Sequence, residues 1–160
     1  EAVANFSSEC VRKFRMQHSC CTEITVFAYT SRFRMDLPQY CINRTIHLQV
    51  PTNDLQELVS TAVRALRMDF RKEGGYQYKK AGVIVWNIVP DSAIQTNLFD
   101  TIDRDKQSRL AAAIDAINRK NGHNTIKVAV QGTTDKSWHL KCEHISKQYT
   151  TNLDDVILVK

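Results

Sequence analysis

The chain has 160 residues, 42% of them apolar, and 22 Lys and Arg against 17 Asp and Glu give a formal net charge of +5. That length holds one domain or a small domain with an appendage, and the composition supports a core of ordinary size. No apolar run reaches membrane-span length and no signal peptide opens the chain; five cysteines, odd in number and without a C-x-x-C pair, point to a reducing cytosol rather than a disulfide framework.

Residues 2–17 predict a helix, with Val3, Phe6, Cys10 and Phe14 on one face and Arg12, Lys13 and Arg15 off it. Residues 22–30 are β-branched and aromatic and predict a strand. A polar, basic turn follows over 31–39, carrying Arg32 and Arg34 and ending near Pro38. Residues 40–50 alternate, with Ile42, Ile46, Leu48 and Val50 on one face and Asn43, Thr45, His47 and Gln49 on the other. Arg44 interrupts the apolar face and is expected near a strand end or bulge.

Asn53 or Asp54 caps the next predicted helix, whose stripe is Leu55, Leu58, Val59, Ala62, Leu66 and Phe70 and whose stop is Gly74-Gly75. A strand over 78–89 ends at Pro90. The order helix, strand, strand, helix, strand becomes ferredoxin-like β-α-β-β-α-β if one strand precedes residue 1. Because Glu1 is not an initiator methionine, the chain is expected to be a fragment whose first strand is missing. Residues 91–101 read as a linker and 103–120 as a third helix, capped by Asp103, with Leu110, Ala113, Ile114 and Ile117 inward and Asn121-Gly122 as its stop. Strands are expected at 126–130 and 156–159. Ile84 and Trp86 form an apolar second face on the third strand, which the C-terminal module is expected to cover.

Charge is uneven. Residues 1–90 carry 12 Lys and Arg against 8 Asp and Glu, and residues 91–160 carry 10 against 9. A basic first half suits a polyanion partner, although a solvated basic surface has the same signature. Two constellations stand out. Lys79 and Lys80 enter the last strand of the basic half, where ammonium groups can neutralise nucleic-acid phosphates without reading sequence. Gln95-Thr96-Asn97-Leu98-Phe99 is a Q-x-x-L-F peptide suited to a hydrophobic pocket, with Leu98 and Phe99 as anchors and Gln95 setting register; Leu98 and Phe99 could equally pin the linker to the domain.

The strand entry Lys79-Lys80-Ala81-Gly82, the Gln95-to-Asp100 segment and Tyr149-Thr150-Thr151, in this order and spacing, resemble the C-terminal region of a Y-family translesion DNA polymerase. The resemblance covers most of the chain. It implies an α+β fold: a ferredoxin-like little-finger domain over 1–90, a linker with a clamp-binding peptide over 91–101 and a helix-plus-strand module over 102–160. It implies that Lys79 and Lys80 lie on the DNA backbone, that Asn43, Arg44 and Thr45 face the template side, and that Arg32 and Arg34 contribute from the hairpin. Gln95, Leu98 and Phe99 are implied to bind the sliding clamp. Template–primer DNA and the clamp are the implied partners, with a UmuD-type subunit and a recombinase filament as further ones. The resemblance implies no catalytic residue, metal or cofactor in this chain: the palm carboxylates and their two Mg²⁺ ions belong upstream, and the activity expected of the parent protein is SOS-linked synthesis past DNA damage.

Rival readings remain. His139, Cys142, His144 and His123 could form a zinc site, but their spacing matches no common finger. A Cys–His nucleophile lacks an accompanying elbow or glycine-rich loop. A stand-alone RNA-binding domain of the same strand–helix order is the principal alternative. It needs aromatics on the open sheet face, for which Phe27 and Tyr29 are the candidates.

Overall fold

A computed structural model describes residues 1–95, 100, 102–133, 146–149 and 155. Helix α1 spans Ala2–Met16 and buries Val3, Ala4, Ser7, Val11 and Phe14. Phe6 and Cys10, expected on the inward stripe, are half-buried at its margin. Lys13 and Arg15 in the last turn complement the helix dipole. Strands β1 (Ser19–Thr30) and β2 (Cys41–Thr52) form a hairpin, helix α2 spans Leu55–Asp69, and β3 spans Tyr78–Pro90. Asp54 caps α2 by accepting from Glu57 N at 2.8 Å. Leu58, Val59, Thr61, Ala62 and Ala65 face inward from α2.

The sheet is antiparallel in the order β2-β1-β3. Its central strand is hydrogen-bonded on both sides, so a further strand could add only at the outer edge of β2 or β3. Three cross-strand rows, Ile46–Ile24–Val85, Arg44–Val26–Val83 and Ile42–Ala28–Ala81, lie on the face that α1 and α2 cover. Val3, Val11, Phe14, Ile24, Val26, Leu58 and Ala62 form the core between sheet and helices. The result is an α+β fold compatible with the ferredoxin-like little finger.

Several boundaries differ from the sequence expectation. Helix α2 stops at Asp69, before Gly74-Gly75, because Phe70 adopts an extended backbone and stacks its ring on Tyr78, centroids 5.0 Å apart. The two glycines, at φ of +97° and +70°, make the turn toward β3 instead. The register shift between β1 and β2 falls between the pairs Glu23–His47 and Cys21–Thr52, not at Arg44. Arg44 is tolerated within the regular ladder because Asp69, at the end of α2, receives its guanidinium.

Helix α3 spans Arg104–Asn121, capped by Asp103, which accepts from Lys106 N at 2.9 Å, and followed by Gly122 at φ +108°. None of its residues is buried, and Leu110 and Ile117 of the expected stripe are exposed. It docks by polar contacts instead. Arg15 of α1 bonds Asp115 at 2.8 Å, His123 lies 2.8 Å from Glu9, and Arg104 bonds Glu57 at 2.7 Å. The strand expected at 126–130 is an irregular segment ending in a 3-10 turn, Ala129–Gln131. There the backbone meets α1 rather than a strand edge: Asn5 Nδ2 donates to the Gln131 carbonyl at 3.1 Å, and the Gln131 side chain is buried. The strand expected at 156–159 lies outside the described residues. No helix among the described residues is long and apolar enough to cross a membrane.

Candidate nucleic-acid interface

Side chains alternate across a strand, so the odd-numbered residues of β1 and β2 leave the core and line the opposite face of the sheet. Four rows result: His47–Glu23–Trp86, Thr45–Thr25–Ile84, Asn43–Phe27–Gly82 and Cys41–Tyr29–Lys80. Among the described residues nothing covers this face. Ile84 is 40% and Trp86 50% exposed, contrary to the expectation that the C-terminal module shields them. The described part of that module docks on the helices, on the other side of the sheet.

Short polar contacts link neighbouring strands across the face. Thr25 and Thr45 hydroxyls lie 2.7 Å apart, and Trp86 Nε1 donates to Thr25 at 2.9 Å. The Phe27 ring lies over Gly82, where an added Cβ would collide with it. Phe27 and Tyr29 rings sit side by side, centroids 6.0 Å apart and planes 18° apart, with Lys80 Nζ 6.0 Å from the Tyr29 ring centre.

Lys79 and Lys80 are both exposed at this face's end. Lys80 pairs with Tyr29 in the ladder and Tyr78 pairs with Thr30, so Lys79 is the extra residue of a β-bulge. A bulge re-aims side chains at a strand end, and here it sets two adjacent cations at one sheet corner. Asn43 and Thr45 stand on the open face, one and two rows from the Lys80 row, paired with Phe27 and Thr25 respectively. Arg44 does not join them. It stands on the helix-covered face, with Nε 2.6 Å and Nη2 2.8 Å from the Asp69 carboxylate, which its hydrogen bonds hold below the usual carboxylate range. Arg32 and Arg34 lie in the β1–β2 loop, where Arg34 is paired with Asp36 at 2.8 Å.

The sequence reading passed over a second basic loop. Arg71 and Lys72 follow α2, and Arg71 sits 4.6 Å above the Tyr40 ring. Tyr40 also meets Tyr76 at 5.2 Å, and Gly75 approaches Pro38, so the two loops are neighbours. Residues 31–39 and 70–80 together carry six Lys and Arg against two carboxylates, most of the chain's net +5. Counting charge by loop would have found this end; counting by half-chain diluted it.

Gln95 is exposed just after a 3-10 turn at Asp91–Ala93, while Leu98 and Phe99 lie outside the described residues. So do His139, Cys142 and His144 of the zinc alternative; His123 is engaged with Glu9. No three His, Cys, Asp or Glu among the described residues come together to hold a metal.

Among the described residues one sheet face is exposed and basic at one end, and two helices back the other face. Residues 1–98 match the C-terminal domain of the impB/mucB/samB family, and the chain belongs to that family. Residues 108–159 match a domain of unknown function, DUF4113. Over its whole length the chain is 32% identical to Protein UmuC and to Protein ImpB, both of Salmonella typhimurium. It is 33% identical over 95% of its length to Protein MucB of Escherichia coli. It corresponds to the C-terminal region of UmuC-type Y-family translesion polymerases, and spans 35–37% of the length of these relatives.

Proposed function

We propose that this chain is the non-catalytic C-terminal part of an error-prone translesion DNA polymerase, and that it grips template–primer DNA through phosphates. The observation that carries this is the gathering of Lys79, Lys80, Arg71, Lys72, Arg32 and Arg34 at one end of a sheet face that no described residue covers. Phosphates offer evenly spaced charge whatever the sequence, so such a grip tolerates damaged bases it barely reads. Asn43 and Thr45 would add positioning hydrogen bonds from the open face. Arg44 would act indirectly, by fixing β2 to the end of α2. The palm carboxylates and their Mg²⁺ ions would belong to other parts of the polymerase, and the setting would be cytoplasmic SOS repair.

The grip has a quantitative test. Each phosphate contact contributes a slope of about 0.9 to the fall of log affinity with log salt. Replacing Lys79 and Lys80 by Ala should weaken duplex binding alike at all sequences and reduce the slope by about 1.8. An unchanged slope would remove both lysines from the interface.

The finer reading is that Gln95, Leu98 and Phe99 dock on the sliding clamp and raise the effective concentration of the enzyme at the primer end. It rests on the Q-x-x-L-F spacing and on the exposure of Gln95. Leu98→Ala with Phe99→Ala should abolish binding of the chain to a bacterial sliding clamp; retained binding would discard the motif. A UmuD-type subunit and a recombinase filament are further partners for residues 102–160. The RNA-binding alternative draws support from one observation, the side-by-side Phe27 and Tyr29 rings on the open face. Preference for single-stranded RNA over duplex DNA, lost on Phe27→Ser, would favour it.

A further inference from the structure

The β1–β2 loop carries a feature that phosphate contacts do not require. Phe33 is 94% and Met35 92% exposed at its tip. Large apolar side chains left wholly in water forgo burial that the fold could otherwise gain. This loop is nevertheless built to hold them there. Gln39 Nε2 donates to the carbonyls of Arg34 at 2.7 Å and Leu37 at 3.0 Å, and Thr30 Oγ1 donates to Gln39 Oε1 at 2.7 Å. Arg34 N donates to the Ser31 carbonyl and Leu37 N to the Arg34 carbonyl. Asp36 receives Arg34 with both oxygens, at 2.9 and 2.8 Å. These bonds lie within the loop and at its strand ends, and they define its shape while Phe33 and Met35 stay exposed.

The surroundings select the occupant. The tip lies beyond the Cys41–Tyr29–Lys80 row, the last row of the open face before the hairpin, and beside the 70–77 loop through Pro38 and Gly75. Six cations against two carboxylates flank it. An apolar tip in such a setting complements a polyanion with an apolar interior, which describes a base-paired nucleic acid. We propose that Phe33 and Met35 form a wedge that seats against or between the bases of bound template–primer DNA, while the neighbouring cations hold the phosphates on either side. Apolar wedges of this kind unstack a base step at a cost that the added contacts offset. The proposal rests on the DNA-grip reading and adds a contact that is not electrostatic.

That difference supplies the test. Phe33→Ser with Met35→Ser changes only exposed atoms, so folding is retained, and unchanged urea unfolding verifies it. Binding of the whole chain to a template–primer duplex with a single-stranded overhang is measured across salt, with 2-aminopurine at the junction. The expected result is a loss of about tenfold in affinity at every salt concentration with an unaltered slope, and loss of the fluorescence rise that the native chain produces. Unchanged affinity, or a loss that vanishes at high salt, overturns the wedge and leaves the grip standing. Failure of the native chain to bind duplex DNA at any salt overturns both. A variant that binds DNA normally but loses the sliding clamp overturns the wedge in favour of a protein contact.

Discussion

Arg44 shows how one side chain's role follows from the parity of its position. An even number in β2 puts it on the helix-covered face beside Val26, half-exposed and within reach of the end of α2. Asp69 supplies it with two bonds at 2.6 and 2.8 Å. The cysteines divide by the same logic. Cys20 and Cys21 are fully buried and Cys41 is exposed. Burial pushes the Cys20 thiol up to about 11 and the Cys21 thiol up to about 12. Iodoacetamide at pH 8 should therefore label Cys41 in the folded chain and reach Cys20 and Cys21 only after unfolding, as mass spectrometry of tryptic peptides would record. A thiol whose pKa is raised by folding stabilises the fold fully below the unfolded value of about 8.5 and loses that contribution as pH rises toward the folded value. The urea midpoint should thus fall between pH 8 and pH 11, and Cys20→Ser with Cys21→Ser should flatten that fall while lowering the midpoint at neutral pH.

At the scale of elements, α2 is set at its two ends by different forces. Its start is local: the Asp54 carboxylate accepts from Glu57 N, one of the donors that every helix leaves unsatisfied. Its end is tertiary, made by the Phe70 ring on Tyr78 and by the Arg44–Asp69 pair. Asp54→Ala should cost about 1 kcal/mol of unfolding free energy. Leu58→Ala, which opens a cavity in the core between α2 and the sheet, should cost about 2–5 kcal/mol. Both are read from urea titrations, with the m-value unchanged in each.

On the scale of the whole molecule, the described part of the C-terminal module meets the helices through polar contacts. Arg104 is the most connected of these. It bonds Glu57 and Asp100, each at 2.7 Å, and Thr52 at 3.1 Å, joining the first turn of α3 to the start of α2 and the end of β2. Arg104→Ala leaves two half-buried carboxylates without their shared cation. Amide exchange across α3 should accelerate markedly while the β1 amides keep their protection. Equal acceleration in both would mean that module and sheet unfold as one unit. The charge layout reads at this scale as well. The basic loops lie at the hairpin end of the sheet, while the Asp54, Glu57, Asp91 and Asp100 carboxylates gather at the opposite end, near the start of α2.

The sequence by itself determined the elements whose cause is local. Strand alternation in 40–50, a cap at Asn53 or Asp54, the Asp103 cap and the Gly122 stop were legible because each depends on neighbours within a few residues. The charge of Lys79 and Lys80 was legible for the same reason. Only the tertiary structure decided what depended on distant partners. It ended α2 at Asp69 through a contact with Tyr78, and it put a 3-10 turn rather than a strand before Gly132 because α1 offers side-chain amides there and no strand edge. It gave Arg44 its partner in Asp69, left Ile84 and Trp86 exposed among the described residues, and gathered two loops, distant in sequence, into one basic end with Phe33 and Met35 at its tip. Local propensity acts over one turn or one strand, whereas the shape of a binding surface is set by which segments meet.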